Sequence, residues 1–274
     1  MDARFYAKTP LGQVSAYPST YDPSLLVALP REEGRVSLGL SHELSFQGVD
    51  IWNAYEVSWL DATGKPVVAM VEIRIPADSP CMVESKSLKL YLCSMHQQSW
   101  ANPEDWVKTV TDDLQHVVAS PVEVRVMAQD SVIGQIGKLQ GDSLDHLPVR
   151  HVATTPEPSL LTCQAGTWVE ASWYSHLFKS NCPVTGQPDW ASVLVHYRGA
   201  CIDAEGLLAY LLSFRQHADF HEHCVESIYM DIWRQCQPEA LSVYARYTRR
   251  GGIDINPFRS NFETAPANIR LFRQ

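Results

Sequence analysis

A chain of 274 residues with a net charge of −9 can form one large domain or two modest ones, and its acidity argues against a broad electrostatic grip on nucleic acid or an anionic membrane. Its composition, 45% hydrophobic and 19% charged, is ordinary for a globular protein. Seven scattered cysteines without a Cys-x-x-Cys pair argue against a disulfide framework or a structural zinc knuckle.

The first half of the chain predicts two strands, two helices and a further strand. Residues 46–60 and the alternating apolar residues of 67–75 have the pattern of strands. Apolar residues then recur at helical spacing through 88–95 and through 107–118, and alternation returns at 122–126.

The second half repeats this order. Strands are predicted at 167–178 and 193–197, helices at 207–212 and 225–236, and a closing strand at 241–248. The simplest account is a strand–strand–helix–helix–strand–strand unit used twice. Such a chain is α+β, with an antiparallel sheet and helices packed on one face.

The repeat divides the chain into four segments. We expect an N-terminal extension over 1–45, a first half over 46–126 and a second half over 166–274. Residues 127–165, rich in Gly, Pro and polar residues, would connect the two halves.

The two halves also align by residue once three small gaps are allowed. The matched positions are Gly64–Pro66 with Gly186–Pro188, Glu84 with Glu205, and Asp113 with Asp231. This alignment sets Cys182 against Leu60 and Asp189 against Val67, so only the second half has a thiol and an acid. Conversely, only the first half has the lysines of 84–89.

The loop that begins at Cys182 is the strongest catalytic candidate. Cys182 opens a Pro/Gly turn, and Asp189 follows seven residues later where the next strand begins. A thiol and an acid over one pocket suit addition of sulfur to an electrophile beside a proton donor. A single cysteine is more often a small buried apolar residue, however, and Pro-Val-Thr-Gly is ordinary turn chemistry.

Residues 84–91 open a predicted helix with a carboxylate and a hydroxyl in its first turn. A plain helix N-terminus prefers such residues, and Lys86 and Lys89 share a face that could simply be solvated. The functional interpretation is an anion site, because free N–H groups at the helix start and two ammonium groups attract a cofactor phosphate.

Two further segments allow both structural and functional interpretations. His221 and Cys224 could join Cys182 in a zinc site, although a closed zinc site needs about four ligands. Alternatively, Glu222 could accept two N–H donors from a purine-like edge. The loop 249–252 sets arginines beside glycines, which suits a phosphate but also describes a plain basic loop.

Targeting and nucleotide-binding motifs are not found in the sequence. We see no signal peptide and no apolar run of about 20 residues, and expect a cytoplasmic protein with reduced thiols. Neither a Rossmann fingerprint nor a Walker A sequence occurs, so another architecture must hold any nucleotide cofactor.

Together these segments resemble the NADPH-dependent 7-cyano-7-deazaguanine reductases, the nitrile reductases of queuosine biosynthesis. The resemblance covers most of the chain and rests on residues 84–89, 180–189, 220–224 and 250–252. The duplicated layout looks like the two-module branch of that family. Its members are built from tunnelling folds, the pterin- and purine-binding units also seen in GTP cyclohydrolase I.

The resemblance implies a mechanism and a set of site residues. Cys182 would add to the nitrile of 7-cyano-7-deazaguanine as a covalent thioimide, with Asp189 as general acid, and two NADPH would complete the reduction to 7-aminomethyl-7-deazaguanine. The residues implied to bind the deazaguanine are Val83, Glu84, Ser85, His221 and Glu222. Those implied to bind NADPH are Ser85, Lys86, Arg250 and Gly251, and no metal is implied.

The resemblance also implies a homodimer that acts on a small nucleobase, with no direct contact to nucleic acid or membrane. One alternative is a zinc-dependent tunnelling-fold hydrolase acting on GTP or a pterin. Another is a non-catalytic purine-binding module in which Cys182 is merely packed.

Overall fold

The structure is a computed structural model and describes residues 17–40, 44–127, 135–149 and 153–274. The strands are β1 (Ala28–Pro30), β2 (Gln47–Leu60), β3 (Pro66–Pro76), β4 (Cys81–Val83), β5 (Glu123–Met127), β6 (Asp142–Ser143), β7 (Cys163–Asn181), β8 (Pro188–Ile202), β9 (Ala240–Tyr247) and β10 (Ile253–Ser260). The α-helices are α1 (Glu32–Ser37), α2 (Ser85–Ser94), α3 (Pro103–Val118), α4 (Ala204–Ser213) and α5 (His221–Cys236). Short 3-10 turns lie at Pro23–Leu25, Pro158–Leu160 and Phe214–Gln216.

The described chain forms two compact units. The first contains residues 17–40, 50–127 and 249–254, and the second contains the remaining described residues. Helices and mostly antiparallel strands occur in both, which confirms the α+β class. None of the described helices is long and apolar enough to cross a membrane.

In the first unit the strands lie in the order β5–β3–β2, and β1 pairs with β4. Strand β3 runs antiparallel to β5, with Glu72 opposite Arg125. The alternating side chains of Val71 and Ile73 are fully buried, as the sequence pattern predicts. Trp59 of β2 stacks on Trp106 of α3 at 5.1 Å between ring centroids, so the helix packs on the apolar face of these strands.

In the second unit the order is β10–β9–β8–β7–β6. Strands β7 and β8 form a long antiparallel hairpin, and β9 pairs antiparallel with β8. The alternating residues Val193, Val195 and Tyr197 of β8 are buried. Helix α5 buries ten of its sixteen residues, Cys224 and Val225 among them, so this unit also has helices on a strand core.

The main difference from the predicted elements is β10. Residues 253–260 carry polar side chains that hide the pattern of a buried strand. Arg259 of β10 donates to Glu226 of α5 at 2.9 Å and 3.0 Å, and both side chains are fully buried. A polar residue that is paired inside the fold looks like a surface residue when only the sequence is read.

Both units contain the same short segment, which has the same conformation in each. Pro-Ser-Leu-Leu occurs at 23–26 and again at 158–161, each time as a 3-10 turn that ends in the same backbone hydrogen bond. The N–H of Asp22 donates to Ser94 at 3.3 Å, and that of Glu157 donates to Ser213 at 3.2 Å. These segments lie in the stretches predicted as an N-terminal extension and a connector.

The helix caps correct the predicted alignment. Glu84 is the N-cap of α2, and its carboxylate accepts from the N–H groups of Lys86 and Ser87. In the second unit the N-cap of the corresponding helix α4 is Asp203, which accepts from the N–H of Gly206. Glu84 therefore corresponds to Asp203, and its predicted match with Glu205 is wrong.

Candidate active site

The chain reverses direction immediately after β7, in a turn that begins at Cys182. The N–H of Cys182 donates to the carbonyl of Gln187 at 2.9 Å, and the N–H of Gly186 donates to the carbonyl of Cys182 at 3.0 Å. Gly186 has a φ of +68°, a left-handed conformation that favours glycine. The N–H of Thr185 donates to the sulfur of Cys182 at 3.5 Å, so the turn fixes the thiol as well as the backbone.

Asp189 lies on the other arm of the same hairpin. It pairs in register with Ser180, while Cys182 is bonded to Gln187 two positions before Asp189. Residues two positions apart on a strand point to the same face, so the thiol and the carboxyl share one side of the hairpin. Asp189 begins the buried face that continues at Val193, and its side chain is almost fully buried.

Helix α5 brings a histidine to this carboxyl. Nε2 of His221, the first residue of α5, lies 3.4 Å from Oδ2 of Asp189. The ring of Tyr247 stacks on the His221 ring at 3.8 Å and an interplanar angle of 9°. Asp189 and His221 therefore meet in the second unit, on the hairpin whose turn begins at Cys182, and Tyr247 joins them although no motif indicated it.

Three buried polar atoms at this place have no hydrogen-bond partner within the described part of the chain. They are Nδ1 of His221, the hydroxyl of Tyr247 and the hydroxyl of Ser180. Buried polar atoms are normally paired, because an unpaired one costs about 1–3 kcal/mol. Their grouping beside Asp189 indicates a site whose hydrogen bonds are completed by a bound molecule.

His223 of α5 forms a second polar pair, with Asp219 just before the helix. Nδ1 of His223 lies 3.3 Å from Oδ1 of Asp219. Glu222, also in the first turn of α5, is 3% exposed. Burial lowers the pKa of His223, but Asp219 and the carboxylates of Glu226 and Glu222 raise it by more, so the net pKa lies above its usual value.

Asp219 responds in the opposite direction. Burial alone would raise its pKa, but hydrogen bonds from His217, His223 and the Phe220 N–H hold the pKa well below the usual range. His223 and Asp219 thus form a buried ion pair at the start of α5, which fixes the helix end that presents His221.

Cys224, the second cysteine near this place, is fully buried in α5. Burial raises the pKa of the Cys224 thiol well above its usual value, and Asp219 and Asp189 raise it further. Ser180 and Tyr247 each oppose this rise by more than Asp189 adds to it, but burial and Asp219 outweigh them. A thiol in such a place stays protonated, which is typical of a packed cysteine rather than a nucleophile.

The remaining predicted residues lie in the first unit. Val83 of β4 is buried and pairs with Ala28, and Ser85 begins α2. Burial raises the pKa of Glu84, while the capping N–H groups lower it by less. Because those N–H groups already bind Glu84, the predicted anion site of free helix N–H groups does not form at 86–87.

The Arg/Gly loop packs beside a lysine of α2 within the first unit. Gly251 has a φ of +58°, and a side chain there would meet Lys89 at 3.3 Å. Arg249 lies over the ring of Tyr55 at 4.3 Å. Lys89 and Gly251 line a cavity of about 30 Å³, which is room for a water molecule. Arg250 precedes Gly251 in this loop, and Lys86 lies three residues before Lys89 in α2.

The turn hydrogen bonds also correct the predicted partner of Cys182. In the first unit the N–H of Asp61 donates to the carbonyl of Lys65 at 2.9 Å, and the N–H of Gly64 donates to the carbonyl of Asp61 at 3.0 Å. These bonds match those of the Cys182 turn, so Cys182 corresponds to Asp61 and its predicted match with Leu60 is wrong. The second turn is one residue longer, which shifted the alignment.

No described residues form a group of three or more His, Cys, Asp or Glu side chains placed to hold a metal ion. His221 is paired with Asp189, and His223 with Asp219, rather than with Cys224 or Cys182. The zinc interpretation therefore has no supporting cluster among the residues that the structure describes.

Comparison with known proteins gives close full-length relatives. An NADPH-dependent 7-cyano-7-deazaguanine reductase of Bordetella parapertussis is 53% identical over 98% of this chain and 99% of its own length. Reductases of the same name from Ralstonia nicotianae and Cupriavidus metallidurans are each 52% identical over 97% of the chain and 98% of their own length. This chain belongs to the NADPH-dependent 7-cyano-7-deazaguanine reductase family.

Two family models agree with this membership. One, described as the N-terminal part of nitrile reductase, 7-cyano-7-deazaguanine-reductase, matches residues 17–126. The other, described as QueF-like protein, matches residues 188–266. A crystal structure of the archaeosine synthase QueF-Like in the apo form matches 37% of this chain and 100% of its own, at 16% identity and a TM-score of 0.32, and this likeness carries no argument. Family membership confirms the resemblance drawn from the motifs.

Proposed function

We propose that this chain reduces the nitrile of 7-cyano-7-deazaguanine to an aminomethyl group at the expense of two NADPH, in the pathway to queuosine in tRNA. Its relatives bear the name of this activity. The observation that carries the proposal is the contact of His221 with Asp189, on the hairpin that also carries Cys182, beside buried polar atoms that have no partner in the described part of the chain.

The chemistry follows from the residue types. A nitrile is a weak electrophile, so the sulfur of Cys182 adds to the nitrile carbon and the nitrile nitrogen takes a proton, giving a thioimide. Asp189, buried and held by the hairpin, supplies that proton as general acid. The first hydride gives a thiohemiaminal, whose carbon–sulfur bond breaks to release an imine and a cysteine sulfur that regains its proton. The second hydride reduces the imine to the aminomethyl group. His221, 3.4 Å from Asp189, orients the acid.

NADPH supplies the hydride for both reductions. We propose that Ser85, Lys86, Arg250 and Gly251 hold it, with Lys89 beside Gly251. Cationic side chains next to glycine backbone suit phosphate groups, because glycine lets the backbone approach closely and the charges attract the anion.

We propose that the deazaguanine is bound by His221 and Glu222 in the second unit. Glu222 is a buried carboxylate, and such a group recognises two N–H donors on one edge of a purine-like ring. The family resemblance also implies Val83, Glu84 and Ser85 as deazaguanine-binding residues, and this assignment stays a prediction. For Glu84 this role competes with its use as a helix cap.

We also propose that each unit is a tunnelling fold and that the two arose by duplication. The repeated Pro-Ser-Leu-Leu segments support this, as do the matching turns at 61–65 and 182–187. The repeating unit would then begin near residue 22 in the first copy and near residue 157 in the second. A homodimer is part of the same proposal, and its mass in solution can be measured by light scattering.

The decisive experiment measures covalent adduct and NADPH consumption together. Wild-type protein mixed with the cyano-deazaguanine alone should gain the mass of one substrate, and turnover should consume about two NADPH per product. Cys182→Ser should give neither adduct nor turnover, because a neutral hydroxyl adds poorly to a nitrile and an alkoxide is a poor leaving group. Cys201→Ser, at the far end of β8, is the matched control and should behave as wild type.

Appreciable turnover by Cys182→Ser would contradict the proposed mechanism. A protein that contains stoichiometric zinc and hydrolyses GTP or a pterin without consuming NADPH would support the hydrolase instead.

A further inference from the structure

The turn that holds Cys182 has a counterpart in the first unit, and the counterpart binds a carboxylate. Oδ1 of Asp61 accepts from the N–H of Thr63 at 2.8 Å, from the Thr63 hydroxyl at 2.7 Å and from the N–H of Lys65 at 3.0 Å. These three donors converge on one negatively charged oxygen at the first position of the turn.

The effect of those donors on charge is visible in Asp61 itself. The hydrogen bond from the Thr63 hydroxyl lowers the pKa of Asp61 most, and the N–H groups of Lys65 and Thr63 lower it further. Burial contributes little against them because the turn is exposed. The turn therefore stabilises a negative charge at its first residue without help from a buried environment.

The second turn has a sulfur at the equivalent position. The N–H of Thr185 donates to Sγ of Cys182 at 3.5 Å, as the N–H of Thr63 donates to Asp61. The N–H of Gln187, which corresponds to that of Lys65, donates to the Thr185 hydroxyl at 3.3 Å. Thr185 thus contributes its N–H to the sulfur and, through its hydroxyl, ties down the end of the longer turn.

We propose that residues 182–187 form an anion-holding turn that stabilises negative charge on the sulfur of Cys182, and that Thr185 is its positioning residue. This inference rests on the proposed function only in taking Cys182 as the nucleophile. The backbone donor is built into the fold, so the sulfur is prepared for attack before any ligand binds.

The first test moves the thiol into the carboxylate turn. Asp61→Cys places a cysteine among the turn donors of the first unit, whereas Asp189 and His221 belong to the second, and Ala62→Cys places one at the next, more exposed position. At pH 7 iodoacetamide should alkylate the thiol of Asp61→Cys about 3–10 times faster than that of Ala62→Cys, which corresponds to a shift of half to one pH unit in ionisation. Peptide mass mapping follows each site.

Exposure alone predicts the reverse order, because position 62 is the more exposed. At pH 10, where both thiols are largely ionised, the two rates should converge. Adding Thr63→Val to Asp61→Cys should remove most of the advantage at pH 7. Equal rates for the two cysteines at pH 7 would overturn the proposal.

The second test perturbs the native turn. Thr185→Val removes the hydroxyl that binds Gln187 and should slow alkylation of Cys182 at pH 7 by about 3–10-fold, with rates that converge with wild type at pH 10. Thr185→Ser keeps the hydroxyl and should restore the rate. Thr63→Val, the same change in the other turn, should leave Cys182 unaffected.

A loss of rate in Thr185→Val that is equal at both pH values would mean altered access rather than altered charge, and would contradict the inference. Should Thr185→Val not fold, the Asp61→Cys comparison decides. Neither test uses the nitrile or NADPH, so the turn can be refuted while the reductase proposal stands. The NADPH assay of the wild-type protein tests the reductase separately.

Discussion

Tyr247 occupies the centre of the candidate site and belongs to no motif. It is fully buried in β9, its ring stacks on His221 at 3.8 Å, and its hydroxyl has no hydrogen-bond partner among the described residues. Burial raises its pKa well above the usual value, and Cys224 and Asp189 raise it further, so the phenol stays protonated. Substitutions of Tyr247 can separate its two contributions, because stacking on His221 needs only the ring and hydrogen bonding needs the hydroxyl oxygen.

We expect Tyr247→Phe to stabilise the free protein and to weaken substrate binding. Removing an unpaired buried hydroxyl returns about 1 kcal/mol or more, which raises the Tm of a chain of this size by about 2–4 °C. The same change should raise KM for the nitrile if the hydroxyl pairs with the ligand. Tyr247→Leu loses the stack as well and should lower both Tm and kcat/KM. Unchanged KM in Tyr247→Phe would show that the hydroxyl does not contact substrate.

The pair formed by Asp219 and His223 predicts a pH window for stability. Asp219 has a lowered pKa in the folded state, so its contribution is present above about pH 4 and is lost as pH falls through the folded pKa. His223 has a raised pKa, so its contribution is complete below about pH 6.5 and is lost as pH rises through the folded value. The pair therefore stabilises most between about pH 4 and 6.5.

Thermal melts of wild type and Asp219→Asn should differ most in that window. The difference in free energy of unfolding between the two proteins should shrink by about 1 kcal/mol as pH rises above 8, because neutral His223 no longer forms an ion pair. His223→Asn is the control, and its difference from wild type should show the same decline at high pH. A difference that stays constant from pH 5 to 9 would mean that the histidine is neutral throughout.

Among the secondary-structure elements, those with one apolar face were predictable and those with internal polar pairs were not. Apolar residues alternate over 67–75 and recur at helical spacing over 107–118, because each element buries one side. Strand β3 and helix α3 occupy these two segments. Strand β10 was missed because Arg259 looks like a surface residue in the sequence, whereas in the fold it forms a buried ion pair with Glu226. Polarity alone does not reveal where a side chain finds its partner.

The candidate site could be predicted only in part from the sequence. Its motifs gave Cys182, Asp189 and His221, because each is a chemically distinctive residue in a loop or at a helix start. The match of Cys182 with Asp61 depends on the backbone hydrogen bonds of two turns of unequal length. Such bonds cannot be read from the amino-acid sequence. Tyr247 was missed because an aromatic residue in a strand is ordinary core.

A tyrosine–aspartate contact recurs in the helix pairs of both units. Tyr91 of α2 donates to Asp113 of α3 at 2.6 Å, and Tyr210 of α4 donates to Asp231 of α5 at 2.6 Å. Among the residues that the structure describes, only the first contact is reinforced by another tyrosine, since Tyr21 also donates to Asp113 at 2.7 Å. Burial raises the pKa of Asp231, and Tyr210 and Arg234 oppose that rise.

This difference predicts unequal costs for the same substitution. Tyr210→Phe should destabilise by about 1–3 kcal/mol, because it removes the hydroxyl donor of a largely buried carboxylate. Tyr91→Phe should cost less than about 1 kcal/mol, because Tyr21 still donates to Asp113. Thermal melts of the two variants against wild type measure the contrast. Equal losses of Tm would show that the tyrosine of the first unit is not a spare donor.

At the scale of the whole molecule, the chain is interleaved between its units. Residues 249–254 fold with the first unit, while the residues on both sides of them belong to the second. Asp254 accepts from Asn53 at 2.7 Å and from Tyr55 at 2.6 Å, the former across 201 residues of sequence. The first unit is therefore incomplete until the end of the chain has been made.

Asp254→Ala should consequently destabilise the first unit. It leaves the fully buried amide of Asn53 and the hydroxyl of Tyr55 without this acceptor, at a cost of about 2–4 kcal/mol for the two groups together. Asp254→Asn keeps an acceptor oxygen and the shape, and should cost about half as much. Differential scanning calorimetry would show the loss as an earlier transition, because two compact units need not melt together. If Asp254→Ala melts as wild type does, the segment 249–254 is dispensable to the first unit, and the glycine loop it carries would have to be held in place by other contacts.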